Sequence, residues 1–215
     1  MVISMERKTR KPSQQRSLDK YEKILESAFL LFNEKGYYNI TTADIAKEAG
    51  VATGSIYSYF ADKKEIYIEV ITRISDKFYT PTIEFWEENR PINLKDEDSI
   101  KKLFKIFIRL MMDCHNFSKL FHDDMMALVL LDEDIAATSK VSQDKREQNT
   151  REVFEIMKIP FKNDESSDIF LHYCNVLIDD VCHKILYDKS LKNIDIYIEH
   201  TVNLLYKLLQ NLAEV

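Results

Sequence analysis

The chain has 215 residues, of which 45% are hydrophobic and 31% charged, a balance typical of folded domains and unlike disordered or collagen-like chains. No apolar run approaches the ~18 residues of a membrane span, and the first 17 residues lack the apolar core of a signal peptide. The three cysteines form no disulfide framework, so we expect a cytoplasmic protein with no membrane partner.

The positions of the glycines indicate the fold class. All three, Gly36, Gly50 and Gly54, lie within 19 residues, and none occurs at positions 55–215. Because the turns and bulges of a sheet usually need glycine, a glycine-free stretch of this length favours helices. We therefore predict an all-α protein.

The net charge of −6 is distributed unevenly along the chain. Residues 1–75 contain 12 Lys and Arg against 10 Asp and Glu, whereas the remainder contains 18 against 26. Since negative charge repels nucleic acid, a DNA-binding function must lie in the N-terminal third. Residues 1–17 are predicted to be a disordered basic arm, although a solubilising tail explains them equally well. Its basic residues are Arg7, Lys8, Arg10, Lys11 and Arg16.

Apolar residues at spacings of three and four, together with capping boxes, glycines and prolines, predict ten helices. The first ends at Gly36, and the second and fourth open at capping boxes that begin at Thr41 and Asp62. The approximate bounds of the predicted helices are 18–36, 41–50, 53–60, 62–79, 82–88, 99–116, 117–131, 136–158, 165–188 and 194–212.

The residues from Thr42 to Phe60 have the pattern of a helix-turn-helix. Such a motif needs a small residue where two helices cross and a turn residue that tolerates positive φ, and Ala46 and Gly50 meet these needs. The exposed face of its second helix carries short polar and aromatic side chains that suit a major groove. These residues are Thr53, Gly54, Ser55, Tyr57 and Ser58. A plain helical hairpin with a glycine turn is the alternative interpretation.

Two lysines, Lys63 and Lys64, occupy the first turn of the fourth predicted helix. The helix dipole disfavours cations there by about 0.3–1 kcal/mol each, so a functional reason is expected. We predict that this helix terminus and its lysines hold a DNA phosphate. The alternative is that both lysines are simply solvated beside Asp62 and Glu65.

The chain resembles the N-terminal domain of TetR/AcrR-type transcriptional regulators over about residues 18–70. The resemblance rests on three runs: Gly36-Tyr37-Tyr38-Asn39-Ile40-Thr41-Thr42-Ala43-Asp44-Ile45-Ala46-Lys47-Glu48-Ala49-Gly50-Val51, Gly54-Ser55-Ile56-Tyr57-Ser58-Tyr59-Phe60 and Lys63-Lys64-Glu65-Ile66. It implies a three-helix helix-turn-helix DNA-binding domain at 18–65 and a larger helical effector-binding and dimerisation domain at 66–215. Ala52 departs from the pattern, because many members have serine or threonine there.

The resemblance also implies roles for single residues. Thr42 would contact a phosphate, and Tyr57 would contact the DNA backbone with Ser58 on the same edge. Lys63 would clamp a phosphate, with Lys64 as a second clamp. The residues that would approach the bases are Thr53, Gly54 and Ser55.

The middle helices are rich in aromatic residues and methionine. Such residues pack in ordinary cores, but they also line adaptable apolar cavities, and the resemblance raises the second possibility. The candidates for an effector pocket are Trp86, Phe104, Phe107, Met111, Phe121 and Met125.

The last two predicted helices have apolar stripes wider than one partner requires. They lie either in the centre of a core or across a dimer interface, and the resemblance favours the interface. The candidates for dimerisation are Leu177, Val181, Tyr197, Thr201, Leu205, Leu208 and Leu209.

We expect no catalytic residues, metal site or cofactor. His172, Cys174, Cys182 and His183 fall on one predicted helix, but the two histidines do not share a face as a zinc site requires. The pair Cys114-His115 and the neighbouring His122 are more simply solvated or core residues. The sequence also contains no glycine-rich phosphate loop and no serine elbow.

We therefore predict a homodimeric, ligand-responsive transcriptional repressor, not an enzyme, that a small and largely apolar effector releases from a palindromic operator of double-stranded DNA. Two alternatives stay open. One is a helical small-molecule-binding or enzymatic protein with a vestigial DNA-binding head, and the other is an activator or a regulator without a ligand.

Overall fold

A computed structural model describes residues 12–214 and contains ten α-helices and no strand in that range. The helices are α1 (Gln15–Lys35), α2 (Thr42–Glu48), α3 (Thr53–Ile56), α4 (Lys63–Asp76), α5 (Tyr79–Glu88), α6 (Glu97–Cys114), α7 (Lys119–Leu131), α8 (Glu133–Met157), α9 (Asp164–Tyr187) and α10 (Ile194–Leu212). The all-α prediction is confirmed. No helix within this range is long and apolar enough to cross a membrane.

Helix α1 begins earlier than predicted. The amides of Ser17 and Leu18 donate to the carbonyl of Gln14 at 2.9 and 3.0 Å, so the first helical turn forms within the predicted disordered arm. Residues 15–17, including Arg16, are therefore helical, and the arm boundary at residue 17 is wrong. The other basic residues of the arm lie outside the described residues: Arg7, Lys8, Arg10 and Lys11.

The chain divides into two compact units. Their boundaries differ from the single domain boundary predicted at residue 65. The first unit contains the described residues up to Ile74 together with Phe117–Ser139, and the second contains Ser75–Asn116 and the residues from Lys140 onward. Helix α7 thus belongs with the N-terminal helices, whereas the sequence placed it in the effector domain.

Polar contacts explain why α7 joins the first unit. The Ser118 hydroxyl, which also caps α7, donates to the Asn33 carbonyl at the end of α1 at 2.6 Å. The Tyr37 amide donates to the Asp124 carboxylate at 2.6 Å. Gly36 has φ of +79°, and a Cβ on it would come within 2.7 Å of Asp124 Oδ2, so this position needs glycine both for its backbone and for the close approach of α7.

The core of the first unit holds the segment from α2 to α4 in place. Phe32, Ile45 and Ile56 from three successive helices are fully buried together, with Phe121 of α7 in the same cluster. The Tyr21 ring stacks on Phe60 with centroids 5.0 Å apart. The segment from α2 to α4 is therefore held by side chains from several elements rather than by its own short helices.

In the second unit, α9 and α10 pack on each other and both pack on α6. Their buried residues form one cluster that includes Ile108, Phe170 and Leu205. Trp86 of α5 joins this cluster through ring contacts with Phe104 and Phe107. This helical body is larger than the first unit, in agreement with the predicted fold class.

Candidate nucleic-acid interface

The start of α2 is fixed by the capping box that the sequence predicts. The Asp44 amide donates to Thr41 Oγ1 at 3.2 Å, and the Thr41 amide donates to the Asp44 carboxylate at 2.8 Å. The hydrogen bonds from Thr41 hold the pKa of Asp44 below its ordinary value. These two bonds satisfy amides that a helix N-terminus otherwise leaves unpaired, so α2 starts at a defined residue despite its short length.

The turn between α2 and α3 depends on Gly50. Its φ is +64°, and nothing lies within 4 Å of the place where a Cβ would be. The glycine is therefore needed for its backbone conformation and not for space. After it the Val51 amide donates to the Ala46 carbonyl at 3.0 Å, which folds the chain back against α2.

Helix α3 is shorter than predicted. It ends at Ile56, and the chain then continues to Phe60 through turns in which the amides of Tyr59 and Phe60 both donate to the Ile56 carbonyl at 2.9 Å. No side chain caps its start, because Ala52 at the cap has no acceptor, and Gly54 lowers helix propensity further. Since Ile56 is fully buried, packing rather than propensity holds α3 in place.

The predicted DNA-contacting residues of α3 and the following turn lie at the surface. Thr53, Gly54 and Ser58 are exposed, Ser55 is half-buried, and Tyr57 is 39% exposed. The Tyr57 hydroxyl lies 3.0 Å from Thr42 Oγ1 at the start of α2. The structure therefore brings together a hydroxyl group of α2 and one from the turn after α3, both of which could bind one phosphate.

Lys63 does not present a free ammonium group. Its Nζ donates to the carbonyls of Tyr37 and Ile40 at 2.6 and 2.8 Å and lies 4.2 Å from the centroid of the Tyr37 ring. Burial lowers its pKa. In this structure Lys63 secures the α1–α2 loop rather than a phosphate, because the loop carbonyls are the acceptors within its reach.

Lys64 is also engaged inside the first unit. Its Nζ lies 2.5 Å from Asp134 and 3.3 Å from Asp132 near the start of α8, and its hydrogen bonds to these carboxylates raise its pKa. The two carboxylates neutralise the ammonium charge. The prediction of a second phosphate clamp at Lys64 therefore does not fit this conformation.

The six predicted pocket residues do not form one cluster. Trp86, Phe104, Phe107 and Met111 pack in the core of the second unit, whereas Phe121 and Met125 belong to the core of the first. The prediction that all six residues line one pocket is wrong, because α7, which carries Phe121 and Met125, packs on α1. A cavity of about 360 Å³ instead lies between α8 and α9. Most of the residues that line it are polar or charged, and none of the six predicted residues is among them.

Four of the predicted dimer residues are buried in the protein's own core. They are Val181, Thr201, Leu205 and Leu209. The prediction is wrong for these residues because α9 and α10 turn this stripe toward each other and toward α6. Leu177 and Leu208 are half-buried, and Tyr197 is exposed.

The exposed apolar residues of α9 and α10 lie beside the predicted ones. They are Ile169, Tyr173, Val176, Leu186, Ile194, Ile196 and Leu204, and Tyr197 is the one predicted residue that is exposed with them. The width of the apolar stripes predicts two apolar faces on each of these helices. The sequence alone does not determine which face packs in the core and which is exposed.

The comparisons with known proteins agree with this geometry. The family model described as bacterial regulatory proteins, tetR family, matches residues 24–70, a segment that contains α2 and α3 with parts of α1 and α4. A fatty acid metabolism regulator protein of Bacillus subtilis is 33% identical over 110 residues, which cover 51% of this chain and 50% of that protein. The chain spans at most about half the length of the curated relatives it matches first.

Solved structures extend the likeness to most of the chain. A TetR-family transcriptional regulator from Mesorhizobium loti superimposes with a TM-score of 0.73 at 16% identity and covers 94% of this chain and 100% of its own. A transcriptional regulator from Saccharomonospora viridis in complex with choline gives a TM-score of 0.66 at 20% identity with the same coverage. At these identities the likeness shows the fold. Residues 24–70 are thus similar to the N-terminal domain of the tetR family of bacterial regulatory proteins.

Proposed function

We propose that this regulator binds a palindromic operator as a homodimer, in the cytoplasm, and represses transcription until a small effector binds. The observation that carries the proposal is the surface position of Thr53, Gly54, Tyr57 and Ser58 around the buried Ile56, with the Tyr57 and Thr42 hydroxyls 3.0 Å apart. In this proposal Thr53, Gly54 and Ser55 approach base edges, while the two hydroxyls bind a phosphate. Lys63 stabilises the α1–α2 loop in this proposal, because its ammonium group donates to two carbonyls of that loop.

Selection of bound DNA from a random pool tests the operator. The full chain should enrich an inverted repeat whose half-sites are spaced by whole turns of the duplex, because two identical heads read two half-sites. Binding to the enriched sequence should weaken steeply with salt, since phosphate contacts displace counterions. Failure to enrich any sequence, or enrichment of a single half-site, would contradict the proposed dimeric reader.

The proposed dimer interface is the exposed apolar face of α9 and α10, represented by Tyr173, Val176 and Leu204. These side chains are 44, 48 and 52% exposed on the two helices that also supply much of the core of the second unit. Burying them against a second copy would remove apolar surface from water and stabilise a dimer.

The proposed effector is a largely apolar compound with a hydrogen-bond acceptor, bound among α5 and α6. Trp86 is 2% exposed, and its indole N–H has no hydrogen-bond partner among the described residues. A buried donor without a partner costs free energy, which an acceptor atom of a ligand would recover. Phe104, Phe107 and Met111 around it suit an apolar ligand. The name of the B. subtilis relative makes fatty acids the first class to test.

Fluorescence of Trp86, the only tryptophan, tests the effector site. A series of fatty acids titrated into the full chain should include compounds that change the Trp86 emission, raise the melting temperature and weaken operator binding together. A coupling of about 1–3 kcal/mol would correspond to roughly 5–150-fold release. Compounds that stabilise the protein and leave DNA affinity unchanged would contradict the coupling, and the same titration with choline tests the alternative ligand class.

A further inference from the structure

Three side chains of the second unit converge at the end of α6. His115 is the residue that follows α6, and Asp179 and His183 lie one turn apart on α9. His115 Nε2 lies 3.9 Å from Asp179 Oδ1, and His183 Nδ1 lies 3.5 Å from Asp179 Oδ2. One potential ligand atom from each of the three side chains lies within 4.8 Å of the other two. Two imidazoles and a carboxylate therefore face a common point.

A main-chain contact orients His115 toward this point. Its Nδ1 lies 2.6 Å from the Met111 carbonyl oxygen, and because a carbonyl can only accept, Nδ1 must carry the hydrogen. In the neutral ring the lone pair then lies on Nε2, the atom that faces Asp179. Metal-binding histidines commonly donate their second ring nitrogen in this way, which fixes both tautomer and ring orientation.

The surroundings also suit a cation. The side chains of His115, His183 and Asp179 are 7, 22 and 40% exposed, so the two imidazoles are largely shielded from water while the carboxylate remains open to it. The point of convergence lies at the C-terminal end of the 18-residue helix α6, where the helix dipole is negative. Arg146 contacts Asp179 Oδ1 at 3.2 Å, but its side chain is 54% exposed. The other carboxylate oxygen, Oδ2, is the one that lies near His183. A bound cation would displace the Arg146 head group toward solvent.

We propose that His115, Asp179 and His183 form a binding site for a divalent first-row transition ion, represented by Zn²⁺, with water completing its coordination. Two imidazoles and one carboxylate form a ligand set that Zn²⁺, Co²⁺ and Ni²⁺ accept, whereas Mg²⁺ and Ca²⁺ prefer oxygen ligands. Zn–N distances of about 2.0–2.1 Å require the three ligand atoms to move closer by side-chain rotation. The ion would join the end of α6 to α9, and all three ligands belong to the second unit.

Calorimetry with ZnCl₂ and absorption spectroscopy with CoCl₂ on the full, DNA-free chain test the site. The wild type should bind one ion, and Co²⁺ should give visible d–d bands of a site with nitrogen and oxygen ligands. His183→Gln and Asp179→Asn should each weaken Zn²⁺ binding at least about 10-fold. His172→Gln is the matched control, because His172 is an exposed histidine on the same helix and outside the cluster.

Two cluster variants are used so that the test still gives an answer if one of them misfolds. Circular dichroism identifies a variant that has lost its helices, and the other variant then decides the outcome. Zn²⁺ should also raise the melting temperature of the wild type and of His172→Gln but not that of the cluster variants. No Zn²⁺ binding by the wild type, or equal binding by His183→Gln, Asp179→Asn and the wild type, would overturn the proposal.

Discussion

Gly54→Leu is expected to lower operator affinity on the order of 100-fold while the protein stays at least as stable as the wild type. Gly54 is exposed in α3, its backbone is not in the left-handed region, and no atom lies within 4 Å of the position of a Cβ. The fold therefore accepts a side chain here, and replacing glycine in a helix stabilises it by roughly 0.5–1 kcal/mol. A leucine would instead occupy the space through which α3 approaches the bases, and a lost base contact costs about 1–3 kcal/mol in each head.

Fluorescence anisotropy with the selected operator and thermal melting together test this expectation. Gly54→Ala should have a smaller effect in the same direction. Glu26→Leu, at an exposed position of α1, is the control for adding an apolar side chain to the surface of the first unit. Wild-type affinity in Gly54→Leu would show that α3 does not read the operator, whereas a large loss of melting temperature would show that Gly54 has a structural role.

Leu204→Glu is expected to convert the protein into folded monomers and to lower operator affinity by about 10²–10⁴-fold, the range that loss of a second linked binding event produces. Leu204 is 52% exposed, so a glutamate there is solvated in the monomer and disfavours only the proposed dimer. Its neighbour Leu205 is fully buried. Leu205→Glu would place a carboxylate in the core and unfold the protein, so it does not test the interface.

Sedimentation velocity measures the oligomeric state directly, and melting confirms that Leu204→Glu is folded. Tyr173→Glu provides an independent variant on α9, where the side chain is 44% exposed. Leu30→Glu, 50% exposed on α1, is the control for an equivalent charge at an apolar surface position of the first unit. Intact dimers in both the Leu204 and Tyr173 variants would contradict the interface, as would monomers that bind the operator with wild-type affinity.

Features that depend on neighbours in the chain were predictable from the sequence. The capping box at Thr41 and Asp44, the positive φ of Gly36 and Gly50, and the all-helical class follow from short-range hydrogen bonding and backbone sterics. The bounds of α10 are those predicted, because its apolar spacing is regular and Asn193 caps its start. Helix α3 was predicted too long because its helical pattern is weak and its extent depends on the packing of Ile56.

Features that depend on which elements meet were decided by the tertiary structure. The sequence predicts apolar faces on α7, α9 and α10, but it does not predict which helices those faces contact. Several predicted pocket and dimer residues therefore lie in the protein's own core. Lys63 has carbonyl acceptors only because the α1–α2 loop folds over α4, 23 to 26 residues away in the chain. The sequence pairs His115 only with its chain neighbours, whereas its spatial partners Asp179 and His183 lie on another helix. Spacing within one helix determines which residues share a face, but only long-range packing determines what that face meets.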